Sequence, residues 1–302
     1  MGRSAVGLRD MDITDPADPR IADYRVVSDA ILLERRGLFV AEGRLVVRHL
    51  LDDGRFRIRS LLVTPAAGAA LRTGLRTGDG SSSEELPSPT YVISPEAMKG
   101  LTGFNFHRGC LALVERPAPE PPASVIARAG PAGPVVVLEE VTNADNVGGV
   151  FRNARALGAG AVLLSPGCCD PLYRKAIRTS TAATLLVPFA RLDPWPDALA
   201  QLRATGFVLV GLTPRTGARD LDDFADDPAR PRRVALLVGT EGGGLSAAVE
   251  RTADVCVRIS MAPGVDSLNL ATATGIALYR LAPRASVPVP HTGATRRPPD
   301  LP

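Results

Sequence analysis

The chain has 302 residues, 45% hydrophobic and 22% charged, with a net charge of +3 at pH 7. That length suffices for two domains with a core each, and the balance is that of a folded globular protein rather than a disordered one. A +3 excess is too small to name nucleic acid as a partner by itself. Lysine occurs only at Lys99 and Lys175, so nearly all the basic residues are arginine. Arginine forks suit phosphate, but a compositional bias of the genome explains the same excess. The four cysteines (Cys110, Cys168, Cys169 and Cys256) have no paired spacing, and the three histidines stand far apart, so no metal is expected. The N-terminus lacks the apolar core of a signal peptide, and no apolar run approaches the roughly 18 residues of a membrane span. A reduced, cytoplasmic setting without membrane contact is expected.

In chain order, residues 1–19 are rich in Asp and Pro and read as loose. Residues 21–33 read as a helix, 38–40 as a buried strand, and 45–51 as a helix ended by Gly54. Residues 58–63 read as a strand broken at Thr64 and Pro65, 72–90 as a surface loop, and 91–93 and 111–114 as short strands. They close a small α/β unit over residues 20–115. Residues 116–122 are Pro-rich, and 116–133 read as a stiff linker. Strand–helix alternation then resumes over 134–283, with strands at 135–139, 161–165, 184–188, 207–212, 234–239 and 255–259. Helices at about 147–158, 171–179, 195–205, 245–252 and 268–281 separate most of them. This alternation predicts an α/β fold with a mostly parallel sheet covered on both faces. Residues 284–302 read as a disordered tail.

Three clusters in this second unit carry chemistry. The first, residues 143–158, holds Asn143, Asn146, Gly148 and Arg152 at the start of a helix whose apolar face is Val147, Val150, Phe151, Ala154 and Leu157. Read plainly, Asn146 caps the helix and Arg152 is a solvated surface residue. The second runs from Gly239 through Glu241, Gly242 and Gly244 to Ser246 at a strand end. Consecutive glycines there let backbone approach a ligand closely. Neither G-x-G-x-x-G nor a Lys-Ser/Thr after the last glycine is present, which excludes dinucleotide and P-loop sites. On this reading Gly242→Val blocks ligand binding by crowding. The third holds Ile259, Met261, Ser267, Leu268 and Asn269. Ser267 sits where a helix cap belongs, whereas Asn269 is a mediocre helix former in a first turn. The helix that follows is expected to bury Leu270, Ala273, Ala277, Leu278 and Leu281.

Taken together, Asn-x-x-Asn-x-Gly-x-x-x-Arg, Gly-x-Glu-Gly-x-Gly-Leu and Ile-x-Met-x(5)-Ser-Leu-Asn resemble the three motifs of the SpoU/TrmH family of RNA 2′-O-ribose methyltransferases. The resemblance covers residues 134–283. Segments 39–43, 61–64 and 101–109 of the first unit are similar to the ribosomal-protein-like substrate domain fused ahead of that catalytic domain, with Arg108 where Gln is usual. The resemblance implies a SPOUT-type trefoil knot in the C-terminal sheet, a homodimer with its active site near the interface, and S-adenosylmethionine as methyl donor. It implies a donor site of Leu237, Gly239, Gly242, Gly244, Ile259, Met261 and Leu268, and a catalytic set of Asn146, Arg152, Glu241, Ser267 and Asn269. The N-terminal unit points to ribosomal RNA ahead of tRNA, with Arg44, Arg48, Arg55, Arg57, Arg59 and Arg108 as candidate RNA contacts. A non-catalytic RNA-binding protein of the same fold is the rival reading, and the intact polar set argues against it. On the linker reading, a chain begun near Pro131 is expected to fold, dimerise and bind donor by itself.

Overall fold

The structure is a computed structural model and describes residues 10–25, 30–73, 86–87, 89–102, 109–129 and 133–282. The first unit holds β1 (Met11–Ile13), β2 (Leu38–Glu42), α1 (Arg44–Asp53), β3 (Ile58–Val63), α2 (Pro65–Arg72), β4 (Thr90–Ile93), α3 (Pro95–Thr102) and β5 (Cys110–Glu115). Its five strands form one sheet in the order β1-β4-β3-β5-β2. The helix expected over 21–33 is instead a 3-10 turn, Pro19–Tyr24, and a π-type turn, Ile31–Arg35, with 26–29 outside the described residues. Ile21 and Tyr24 are buried, so the apolar pattern was real although the element is not one helix. The expected helix end at Gly54 holds, with Gly54 left-handed (φ +68) behind α1. Residues 1–9, most of the 72–90 loop, Arg108 and the tail beyond 282 lie outside the described residues.

The Pro-rich segment departs from the linker reading. Pro122–Arg128 forms α4, with proline in its first turn where no N–H is needed. Its Val125 and Ile126, with Ala129 just beyond, are buried against Val135, Val137, Ala161 and Leu163 of the second sheet. That second unit holds β6 (Val135–Leu138), α5 (Ala144–Ala156), β7 (Ala161–Leu164), α6 (Arg174–Thr179), α7 (Ala183–Leu186), β8 (Phe189–Arg191) and α8 (Ala200–Ala204). It continues through β9 (Val208–Leu212), β10 (Arg219–Asp220), α9 (Leu221–Asp226), β11 (Val234–Val238), α10 (Ala247–Thr252), β12 (Val255–Arg258) and α11 (Leu270–Leu281). Seven strands run in the order β10-β12-β9-β11-β6-β7-β8, every pair parallel. Alternate residues face opposite layers. Val136, Leu138, Leu236 and Val238 join α5 and α11, while Val135, Val137, Ala235 and Leu237 join α4, α8 and α10.

The strand expected at 184–188 is α7, and the strand begins only at Phe189. Short apolar runs fit either element by pattern, and here a left-handed turn at Thr181 and Ala182 starts a helix. The two sheets share a core. Leu172, Ile177, Ala182 and Leu185 of the second unit are buried in one cluster with Phe39, Val47, Leu50 and Leu61 of the first. An ion pair from Arg116 to Asp170 at 2.7 Å closes the same seam.

Candidate active site

Strands β12, β9, β11 and β6 lie side by side and parallel, so the loops leaving Arg258, Leu212, Val238 and Leu138 open on one edge of the sheet. Ligands of open parallel sheets bind outside this edge. A cavity of about 520 Å³ lies there, lined from 212–214, from Val238 to Gly242 with Gly244, by Ile259 and Met261, from 266–270 and by Ala273. That volume lies within the range of small-molecule sites.

The glycine loop explains the cavity wall. After β11 the chain folds back on itself, and the Gly244 N–H donates to the Thr240 carbonyl at 2.9 Å. A Cβ on Gly239 would sit 2.0 Å from the Gly244 carbonyl carbon and 2.3 Å from the Leu245 nitrogen, so only glycine closes this turn. Gly242 is different: a Cβ there meets nothing within 4 Å, and its requirement is conformational (φ +81). A side chain at 242 would thus meet no protein atom and would point into open space on the cavity wall, where the left-handed backbone adds strain to any crowding of a ligand.

Asn269 joins the three clusters. Its Oδ1 accepts from the Thr272 N–H at 3.2 Å and caps α11. Its Nδ2 donates to Asn146 Oδ1 at 2.9 Å and to Glu241 Oε1 at 3.2 Å. The cap is thus Asn269 and not Ser267, which is exposed on the cavity wall. Likewise α5 is capped by Asn143, whose side chain accepts from the Asp145 N–H at 2.8 Å. Asn146 is buried and faces Asn269. The start of α5 is braced from α6, where Lys175 pairs with Asp145 at 2.7 Å and Thr179 donates to it at 3.0 Å. The Lys175 hydrogen bond, with help from Thr179, holds the Asp145 carboxyl below the usual carboxylate range. Behind the third cluster, the Ser260 hydroxyl donates to Asp220 and lowers its carboxyl in the same way.

The expected residues divide cleanly. Gly239, Gly242, Gly244, Ile259, Met261 and Leu268 line the cavity, as do Glu241, Ser267 and Asn269. Leu237 does not: strand alternation turns it into the layer of α4 and α10, and Val238 lines the wall instead. Arg152 is exposed in a separate groove between α5 and α11, beside Asn153, Gly275, Ile276 and Tyr279. Thr213, Pro214 and Asp266 line the cavity and were not anticipated. The signal that could have found Thr213 and Pro214 is their place just past the end of a parallel strand.

Of the candidate RNA contacts, Arg48 donates to the carbonyls of Ala70 and Thr73, both at 2.9 Å, and so holds the end of α2. Arg57 and Arg59 both pair with Glu115, and Arg55 with Asp53. Arg44 is exposed with no ion pair among the described residues. Among the described residues no group of three or more His, Cys, Asp or Glu could hold a metal, and no helix is long and apolar enough to cross a membrane.

Comparison with known proteins agrees with this geometry. The profile of the SpoU rRNA methylase family matches residues 133–279. An uncharacterized tRNA/rRNA methyltransferase of Mycobacterium bovis is 42% identical over 280 residues, covering 90% of this chain and 92% of that protein. The AdoMet-bound rRNA methyltransferase of Sinorhizobium meliloti superposes with a TM-score of 0.71 at 26% identity, over 89% of this chain and 96% of that one. A solved RNA 2′-O ribose methyltransferase gives a TM-score of 0.68 at 27% identity, over 90% of this chain and 98% of that one. Motifs, sheet order and relatives agree: the chain belongs to the SpoU family of RNA methylases.

Proposed function

We propose that this chain is an S-adenosylmethionine-dependent RNA 2′-O-ribose methyltransferase that acts on ribosomal RNA in the cytoplasm as a homodimer. The observation that carries the reading is Asn269, whose amide ties Asn146 and Glu241 together beside a cavity walled by glycine backbone. The cavity suits the donor. Val238, Ile259, Met261 and Leu268 offer apolar surface, and the Gly239–Gly244 turn offers backbone groups that no side chain obstructs.

When bound, S-adenosylmethionine supplies a methyl group on a sulfonium, already a good leaving group. The chain's own residues must then chiefly position a ribose hydroxyl in line and keep water out. Ser267 and Asn269 orient the ribose from the cavity wall. Glu241 accepts from the Asn269 amide, and Asn146 fixes the same amide from the buried side. A guanidinium stays protonated at neutral pH, which suits Arg152 to hold a neighbouring phosphate and stabilise developing alkoxide charge rather than take the proton. Arg152 borders the α5–α11 groove with the exposed Ile276 and Tyr279, and the homodimer is proposed to pair across this face. That pairing would carry Arg152 toward a substrate shared between two copies.

The test is to incubate purified protein and labelled donor with ribosomal RNA and, separately, with tRNA, then digest with alkali. Methylation of a ribose 2′-oxygen blocks alkaline cleavage, so an alkali-resistant labelled dinucleotide from ribosomal RNA is the expected product. Label in a base-methylated mononucleotide would refute the ribose specificity, and label confined to tRNA would refute the ribosomal target.

A further inference from the structure

Glu139 follows β6 directly and is 5% exposed, yet it belongs to none of the three motif clusters. Three donors converge on its carboxylate. Oε1 accepts from the Ser246 hydroxyl at 2.7 Å and from the Trp195 indole N–H at 3.1 Å. Oε2 accepts from the Ser246 backbone N–H at 2.8 Å. The Glu139 N–H donates to the Val238 carbonyl at 2.9 Å, so its backbone is fastened to β11 as well.

Ser246 ends the glycine loop and begins α10, capping it by accepting from the Val249 N–H at 3.2 Å. The loop therefore has two ends of different character. One leaves the central strand β11. The other is held by the Gly244–Thr240 bond, by the burial of Leu245, by the cap on α10 and, through the buried side chain that follows the neighbouring strand β6, by the Glu139–Ser246 contacts. Buried polar groups are costly unless satisfied, so a buried carboxylate with three donors is a rigid anchor.

We infer that Glu139 is a positioning residue that sets the cofactor loop Gly239–Ser246 and couples it to Trp195, the chain's single tryptophan. The inference rests on the donor site proposed above. Ser246 and the indole share one carboxylate, so a ligand seated on the loop is reported to Trp195 through Glu139.

Glutamine at 139 has nearly the same volume, but its amide nitrogen would face one of three donors and leave at least one unpaired. The experiment titrates wild type, Glu139→Gln, Glu139→Asp and Ser246→Ala with S-adenosylmethionine and S-adenosylhomocysteine, by calorimetry and by Trp195 fluorescence. In wild type the fluorescence changes saturably with ligand. In Glu139→Gln this response is lost and Kd rises at least tenfold, with KM for the donor rising in parallel and kcat at saturating donor within twofold. Ser246→Ala raises Kd less, and the Glu139→Gln, Ser246→Ala double variant, titrated alongside, falls short of the product of the single effects, as coupled neighbours do. A folded Glu139→Gln protein with Kd within threefold of wild type overturns the inference. Should that variant not fold, unchanged Kd in both Glu139→Asp and Ser246→Ala overturns it equally. Wild type that binds neither ligand removes the donor site and this inference together, whereas normal wild-type binding with unaffected variants removes this inference alone.

Discussion

Gly239→Ala is the sharpest perturbation of the cavity. The added Cβ would lie 2.0 Å from both the carbon and the oxygen of Gly244, backbone atoms with no free end to swing away. Relief requires the two limbs of the turn to part by more than an ångström, which breaks the 2.9 Å bond from Gly244 N–H to Thr240. A lost hydrogen bond costs about 0.5–1.5 kcal/mol, and forced repacking costs about 1–3 kcal/mol. If this cost falls on the donor-bound state, affinity falls roughly 10- to 1000-fold, since each 1.4 kcal/mol is a factor of about ten. Gly242→Ala meets no neighbour and bears only the left-handed penalty of about 1–2 kcal/mol, for an expected loss of about 5- to 30-fold. Calorimetric titration of both variants with S-adenosylhomocysteine, alongside thermal unfolding to show that each is folded, gives the ranking. A folded Gly239→Ala protein that binds within threefold of wild type, or more tightly than Gly242→Ala, refutes the reasoning.

Arg152→Ala should leave donor Kd within threefold, because the residue lies outside the cavity, and reduce methyl transfer by about 10²–10³. Arg152→Lys should recover little if the fork holds phosphate, and near wild-type turnover of the alanine variant would return the residue to an ordinary surface arginine. Asp145→Asn tests the brace on α5. The folded carboxyl titrates below its ordinary 3.8, so its stabilisation is present above that value and is lost as pH falls through the lower folded value. The gap in melting temperature between wild type and variant should be open at neutral pH and narrow as the solution is acidified below the ordinary carboxylate range; a gap unchanged on acidification refutes the brace. A chain begun near Pro131 should aggregate or melt early, against the expectation from the linker reading. It lacks Val125, Ile126 and Ala129 from one core layer and uncovers Leu172, Ile177 and Leu185 in the seam, and cooperative unfolding at the full-length temperature would show the seam to be dispensable.

Most of the cavity was legible because the second and third clusters are short contiguous runs whose polar types have few structural uses, whereas the first cluster meets it only through Asn146 and the 212–214 wall was not foreseen. Strand alternation then decided a detail the runs could not carry, turning Leu237 away and Val238 in. Glu139 escaped notice because it closes an apolar strand and acts on Ser246, 107 positions away. The parallel second sheet was legible as alternating strands and helices. The seam between the sheets was not, because Leu172, Ile177 and Leu185 read as ordinary core residues of their own unit. Proline misled at 122, where it opens a helix instead of stiffening a linker. Four of the arginines offered for RNA are engaged within the protein, by Glu115, Asp53 or the end of α2, which composition could not reveal.

Asn269 shows why a mediocre helix former stands in this position. The cap needs an acceptor near the Thr272 N–H, and the bridge needs a donor reaching Asn146 and Glu241. One short side chain must therefore carry an oxygen at one corner and an N–H₂ at the other, and asparagine alone has both at this length. Serine keeps the cap and loses the bridge. Alanine loses both, and aspartate keeps the cap while turning a second carboxylate toward Glu241. Asn269→Ser and Asn269→Ala should therefore share a deep loss of methyl transfer, tenfold or more, because the bridge is gone in each. They should differ in stability by the cap alone, about 1 kcal/mol or roughly 2–4 °C in melting temperature for a protein of this size. Asn269→Asp should match serine in capping and fall at least as far in activity, since like charges face each other across the cavity wall. Thermal unfolding and methyl transfer measured on the same preparations separate the two roles. Wild-type transfer by the serine variant would remove the bridge from the site, and equal melting temperatures for serine and alanine would remove the cap from α11.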